Sequence, residues 1–345
     1  MTRYRSPRRY DPVMDPLRVA ISDGWTIDDP ERLPWMQALR RRFRVELVPM
    51  DAGADVLFHS DFGRDHWRFP GLKVYFTGEN MLPDPRQHDF ALTSLHRPGD
   101  PRHFRIPEFL YAIPGPEALV RPADFDAERE LRAKDGFCSF VVSNPRGALR
   151  NRAFRLLDRR RGVASGGRHF NNVGGPVPDK AAFARRFRFS LCFENTQGAG
   201  YTTEKLTDAY LARSVPIYWG NPEVGRDFNT ASMICAHDFP TLEDLAEHVL
   251  RVDGDEARYL AYLREPPLAG NAVGPGLRLD GLPDALEGFL RSGIAPGERR
   301  YRRRRLREHC YGSPVEQSLH ALRSRVEGIA WRFREALHRV SGLRP

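Results

Sequence analysis

The sequence predicts an α/β protein built from two parallel-sheet domains, and three observations carry that prediction. The chain has 345 residues, more than twice the roughly 150 of a typical single domain. Short apolar runs alternate with amphipathic stretches through its first half, as strands joined by crossover helices do. In the second half, FCSFVVSN at 137–144 and FRFSLCFEN at 187–195 are apolar at most positions, as in strands covered on both faces. Composition agrees: 41% hydrophobic and 29% charged residues are globular values, and no run approaches the ~18 apolar residues of a membrane span.

Residues 1–16 are basic, with no apolar centre and no small-residue cleavage pattern, so they do not read as a secretory signal and the expected location is cytoplasmic. In the first domain, 17–125, LRVAIS at 17–22, ADVLFHS at 54–60 and LKVYFTGEN at 72–80 read as strands, with the amphipathic PWMQALRRRFRVELV at 34–48 between the first two. The polar stretch 126–136 reads as a linker. The second domain, 137–290, contains FRFSLCFEN, the helix pattern YTTEKLTDAYLAR and the strand SVPIYWG at 214–220, a βαβ unit whose crossover should be right-handed. Thr241 is placed to cap a further helical pattern, PTLEDLAEHVLRVDGDEARYLAYLRE, with acidic residues in its first turn. Cys138, Cys192, Cys235 and Cys310 lack metal-ligand spacing and read as reduced, buried thiols.

Residues 291–345 form an Arg-rich tail. From Glu298 onward 13 Arg stand against 5 Glu, so residues 298–345 carry +8 of the chain's net +9. Val315, Leu319, Leu322, Val326, Ile329, Phe333, Leu337 and Val340 recur at steps of three and four, predicting a basic amphipathic helix. Such a helix packs on its own protein, lies on an anionic membrane surface or binds nucleic acid. The last reading is disfavoured, because the body is nearly neutral and shows no nucleic-acid module.

The chemistry concentrates in FSLCFENTQGAGYTTEKLTDAYLARSVPIYWGNPEV, 189–224. A buried strand ends at Glu194-Asn195, a loop with Gly198 and Gly200 follows, and Thr202 or Thr203 can cap the next helix, with Glu204 and Lys205 in its first turn. A strand end facing a helix N-terminus suits a phosphate, and Lys205 opposes the helix dipole unless an anion is present. Spacing alone leaves open an ordinary cap with solvated charges.

This stretch resembles the donor-binding signature of glycosyltransferase family 10, the α1,3/1,4-fucosyltransferases, through Phe189, Phe193, Glu194, Asn195, Thr196, Tyr201, Thr203, Glu204, Lys205, Ala209, Pro216 and Gly220. VYFTGEN, FVVSNPRGALRNRAF, VASGGRHFNNVGG, GRDFN and HDFPTLEDLAEHV extend the resemblance over about residues 17–290. It implies the GT-B arrangement of two Rossmann-like domains facing across a cleft, with GDP-fucose as donor, a glycan acceptor of N-acetyllactosamine type and inversion at the anomeric carbon. By resemblance Arg150 contacts the donor pyrophosphate, with Arg152 a near competitor. Asn195, Tyr201 and Lys205 are the other phosphate-side contacts, and Glu204 binds donor hydroxyls. Glu79, in the strand-end segment YFTGEN, matches the general base, although on its own it would read as a turn residue. No metal site and no required cofactor are implied; stimulation by Mn2+ or Mg2+ is left open. A transferase using another nucleotide sugar, and a basic nucleic-acid-binding protein, are the competing readings.

Other residues are less informative. His59, His88, His96, His103 and His237 show no ligand spacing and read as surface or hydrogen-bonded histidines. Trp219 reads as packing at a strand end. Phe62, Trp67 and Phe69 either anchor their loop or form a platform for an acceptor sugar.

Overall fold

The structure is a computed structural model that describes residues 16–24 and 29–291. They divide into two compact units, one holding the chain up to Tyr111 and again from Arg278, the other Ala112–Leu277. In the first unit β1 (Leu17–Ser22), α1 (Pro34–Arg40), β2 (Val45–Leu47), β3 (Val56–His59), β4 (Leu72–Phe76), β5 (Phe90–Thr93) and β6 (His103–Arg105) follow in sequence. The strands form one sheet of order β2-β1-β3-β4-β5-β6, and every neighbouring pair is parallel. Its core forms where α1 lays Trp35 flat against Phe58, ring centroids 4.1 Å apart, beside Phe76.

The second unit opens with α2 (Ala127–Arg132) and β7 (Gly136–Phe140), then α3 (Ala148–Arg161), β8 (Ala164–Ser165), α4 (Lys180–Arg185) and β9 (Phe187–Phe193). It continues through α5 (Glu204–Leu211), β10 (Val215–Trp219), β11 (Ile234–Cys235), α6 (Leu242–Asp253) and α7 (Glu256–Arg264). Its five strands are parallel in the order β11-β10-β9-β7-β8. Thr241 caps α6, accepting the Asp244 amide at 3.0 Å. The helical pattern that follows is interrupted at Gly254, after which Asp255 caps α7. Cys138, Cys192 and Cys235 are free and buried, whereas Cys310 lies outside the described residues.

The domain limits differ from those read in the sequence. The first unit ends at Tyr111 rather than near 125, and the stretch expected to link the domains contains α2. Asp126 caps that helix, Ala127 enters the core, and buried Glu130 pairs with Arg185 at 2.8 Å. The chain then returns to the first unit as α8 (Leu282–Arg291), expected within the second domain. Leu282, Leu286 and Phe289 complete the first core there, Phe289 beside Phe90 at 5.2 Å. A short polar helix with one buried edge has the composition of a linker, and a helix's apolar stripe does not say which core it completes. The Arg-rich tail and its amphipathic pattern lie outside the described residues.

In both sheets the strand order reverses, between β1 and β3 in the first and between β7 and β9 in the second. At such a point the crossovers leave on opposite faces and a crevice opens at the strands' carboxyl ends.

Candidate active site

At the second reversal, β9 runs into Glu194 and Asn195. Glu194 is fully buried and its carboxylate gathers a tight set of donors. It accepts the Thr203 amide at 2.8 Å, the Thr203 hydroxyl at 2.9 Å and the Lys205 ammonium at 2.9 Å. Lys205 also donates to the Thr203 hydroxyl at 2.7 Å and lies 3.6 Å from Glu204. Thr203 stands at the cap position of α5, but its hydroxyl serves Glu194 instead of the helix. The expected conflict between Lys205 and the helix dipole is therefore met from within the protein, by a buried carboxylate.

Arg150, in the first turn of α3, is 1% exposed. Its guanidinium donates to the Asn195 side chain and to the carbonyls of Asn144, at 2.7 Å, and Arg146, tying the loop after β7 to the end of β9. Its Nε–H has no hydrogen-bond partner among the described residues. Burial lowers the Arg150 pKa, opposed by Glu194, Tyr201 and Glu204. Arg152, its competitor in the sequence, points to α6 and pairs with Glu243 at 3.3 Å. Tyr201 is buried, and the loop around it is held by Asn221, which accepts the Gly200 amide at 2.9 Å. Arg150, Asn195, Tyr201, Glu204 and Lys205 thus come together around one strand end. In the loop after β8 the His169 amide bonds the Val142 carbonyl, two residues past β7, at 2.9 Å, and the preceding Arg168 is exposed.

Burial pushes the Glu204 carboxyl up, but Lys205, the Thr203 hydroxyl and Lys180 together leave it below its usual value. One turn on, burial and then Glu204 raise Asp208 to about 6, against a smaller opposing pull from Lys180 and Lys205.

Glu79 lies in the turn after β4, exposed, with its amide held by the Thr77 hydroxyl at 3.0 Å. The loop from β3 to β4 is clasped by Asp23 at the end of β1. Asp23 accepts the amides of Asp65 and His66, at 3.0 and 2.9 Å, and the His66 ring Nδ1–H at 2.6 Å. His66 was overlooked in the sequence. It stacks on His59 at 4.1 Å, so that Asp23, His59 and His66 each bring a ligand atom within 4.8 Å of the others. These residues offer the donor set of a divalent ion, yet ligand atoms sharing a tetrahedral ion stand roughly 3.3 Å apart. The shorter Asp23–His66 contact is a hydrogen bond, and the cluster as it stands is a loop clasp.

The remaining candidates divide. Phe69 is buried against Ala20 and Leu57 and anchors the loop, while Phe62 and Trp67 are 55% and 59% exposed. Trp219 is buried and stacks on Phe193 at 6.0 Å, as expected of a packing residue. His103 bonds Thr93 at 2.8 Å and His88 stacks on Tyr75 at 5.0 Å.

Two family models match this chain. The C-terminal model of glycosyltransferase family 10 (fucosyltransferase) covers residues 131–265, and that of the α-(1,3)-fucosyltransferase FucT N-terminal domain covers 19–112. Over 289 residues the chain is 30% identical to the α-(1,3)-fucosyltransferase FucT of Helicobacter pylori. The chain belongs to glycosyltransferase family 10. The alignment to the Helicobacter relative takes in 73% of this chain and 60% of the relative's length. An α-(1,3)-fucosyltransferase 4 of Bos taurus is 34% identical over 155 residues, 43% of this chain and 36% of that protein. Among solved structures, a crystal structure of an α1,3-fucosyltransferase with GDP-fucose is 27% identical with a TM-score of 0.68, covering 80% of this chain and 90% of that one. Another α1,3-fucosyltransferase structure gives 28% and 0.70, with 83% and 93% covered. The family and these likenesses agree with the two parallel α/β units expected of the GT-B class.

Asp208 supplies a test of the electrostatics around α5. Between its ordinary value of 3.8 and about 6, the folded protein keeps a proton that the unfolded chain has released, so this residue's contribution to stability falls as pH rises through that window. Asp208→Asn should therefore unfold at higher urea concentration than the parent at pH 7.5, with the difference vanishing below about pH 4. A variant less stable than the parent at pH 7.5 would show that the Asp208 charge is compensated.

Proposed function

We propose that this chain is an inverting α1,3-fucosyltransferase that transfers L-fucose from GDP-β-L-fucose to a GlcNAc-type hydroxyl of a glycan. The observation that carries this reading is the assembly of Arg150, Asn195, Glu194, Thr203 and Lys205 at the reversal of the second sheet. Family membership and the Helicobacter relative's name support it. In this reading the second unit binds the donor, with cationic groups at the phosphates and Glu204 at the sugar. The first unit holds the acceptor and supplies Glu79.

The reaction is a single displacement. Glu79 takes the proton of the acceptor hydroxyl, the oxygen bonds to the anomeric carbon, and the carbon–phosphate oxygen bond breaks, so the β-linked donor gives an α-linked product. GDP leaves with an additional negative charge, which Arg150 and Lys205 stabilise. Because Glu194 already balances Lys205, the pair carries little net charge before the donor arrives and works as oriented N–H donors. Two side-chain cations can perform the neutralisation a metal performs elsewhere, and stimulation by Mn2+ or Mg2+ is compatible with this.

Phe62 and Trp67 extend the reading to the acceptor. Exposed aromatic rings on a clasped loop present flat apolar faces suited to the C–H face of a pyranose. The Arg-rich tail supports a place at the inner face of an anionic membrane, where lipid-linked acceptors for surface polysaccharide are met. No described helix is long and apolar enough to cross a membrane.

GDP release from GDP-fucose, with and without N-acetyllactosamine, tests the central claim. Glu79→Gln should lower kcat by roughly 10²- to 10⁴-fold while GDP still binds, and Lys205→Ala should weaken donor binding and turnover together. A parent protein that ignores GDP-fucose but binds GDP-mannose or a UDP-sugar would move the assignment to another donor. Trp67→Ala should raise the acceptor KM by roughly tenfold with the donor KM unchanged; no change would return Trp67 to a loop role. Removing residues 298–345 should abolish sedimentation with phosphatidylserine vesicles, and retained sedimentation would place membrane contact elsewhere.

A further inference from the structure

The turn that presents Glu79 is held from a neighbouring loop by a carboxylate outside the family signature. Asp61, two residues past the end of β3, accepts the Tyr75 hydroxyl on one oxygen at 2.7 Å and the Thr77 hydroxyl on the other at 2.5 Å. Tyr75 and Thr77 are two residues apart on one face of the β4 end, both buried. A hydroxyl has a single proton. Thr77 gives that proton to Asp61, which turns an oxygen lone pair toward Glu79, and there it accepts the Glu79 amide at 3.0 Å. The order Asp61, Thr77, Glu79 is therefore directional. The loop carrying Asp61 is itself fixed, since Asp23 binds the amides of Asp65 and His66 and the His66 ring.

We infer that Asp61 is a positioning residue for the transfer reaction: by holding the Tyr75 and Thr77 hydroxyls it sets the turn from which the Glu79 carboxylate meets the acceptor. This rests on the reading of Glu79 as the base. The turn contains Gly78 and exposes Glu79, so burial does not hold the carboxylate in place. A displacement of about 1 Å at a reacting group can cost on the order of 10²-fold in rate. The chemistry calls for an acid at 61. Two hydroxyls donate to two oxygens, whereas Asn offers one oxygen and an NH2. Facing that NH2, Thr77 must accept instead of donate, which turns its proton toward the Glu79 amide and breaks the relay.

The test measures kcat and both KM values for Asp61→Asn, Thr77→Val, Thr77→Ser, Glu79→Gln and the double variant Asp61→Asn/Glu79→Gln, with thermal melts and GDP affinity confirming that each is folded. Asp61→Asn and Thr77→Val should each lower kcat by roughly 10- to 100-fold with KM values within about twofold of the parent, and Thr77→Ser should recover most of the loss. The double variant should be no slower than Glu79→Gln, because Asp61 has nothing left to position. If Glu79→Gln is inactive and Asp61→Asn keeps parental kcat, the inference fails and the base assignment survives. A double variant slower than Glu79→Gln by the full Asp61 factor would make Asp61 merely structural. Loss of the acidic limb of the pH–rate profile in Asp61→Asn would make Asp61 the base and overturn the positioning role. A fully active Glu79→Gln removes the base assignment, and the inference falls with it.

Discussion

The second unit's site depends on a carboxylate that has no access to water. Glu194 sits one residue beyond β9, where its amide bonds the Trp219 carbonyl at 2.8 Å and carries the β9–β10 pairing past the last strand residue. A buried charge is tolerated only when its lone pairs are taken up and an opposite charge is near. Thr203 and Lys205 meet both conditions, and in doing so they fix where α5 begins and which way its first turn faces. The approach is close enough to need a glycine: a Cβ on Gly220 would stand 2.4 Å from the Glu194 Cγ. The start of α5 and the end of β10 are thus positioned around one side chain.

The first unit repeats the device with different residues. Asp23 follows β1 at the other sheet reversal, its carboxylate is 2% exposed, and its backbone takes a φ of 54°, unusual for a residue with a side chain. Its amide and imidazole donors offset that strain, and Gly63 leaves room for it, since a Cβ there would lie 2.2 Å from Asp23 Oδ1. Burial pushes the Asp23 carboxyl up, yet its bonds to His66 and Asp65 hold it below its ordinary value. In each unit a buried acid at a strand end, with a glycine beside it, holds a neighbouring loop. Parallel sheets leave their strand-end amides and loops at the reversal without ladder partners, and a fixed negative group organises them.

The charges around α5 are arranged unequally along the helix. Glu204 has Lys205 and the Thr203 hydroxyl against it, whereas at Asp208, one turn later, burial and the Glu204 charge outweigh Lys180 and Lys205 and raise the carboxyl to about 6. A helix that begins at a proposed sugar site thus holds its two acids in different protonation states between the ordinary carboxyl range and about pH 6, with the ionised one nearest the strand end. Arg150 contributes differently again. Its burial among Asn195 and two carbonyls makes it a tie between β7 and β9 as much as a cation, so its place in the site is inseparable from the integrity of the sheet.

Most strands were legible because the information in them is local. FRFSLCF and VPIYW are apolar along their length because helices cover both faces of their sheet, and such runs admit few other structures. The FENTQGAGYTTEK segment was legible as a strand, loop and helix start, and its resemblance to a family pointed to Arg150, Asn195, Tyr201, Glu204 and Lys205, which fold into one place. The linker that became α2, and α8, which completes the core it was not assigned to, were misread because apolar spacing shows that a face is buried without showing against what. Asp61, Asp23 and His66 carry no signal of spacing, since their partners lie in other loops. The sequence by itself determined the class of fold, the family and the residues of the donor signature, all written in short contiguous patterns. Tertiary structure alone decided that Glu194 would bind Lys205, that Arg150 rather than Arg152 would meet Asn195, and that Asp61 would hold the turn of Glu79, because each is a contact between segments whose approach is set by the packing of whole sheets.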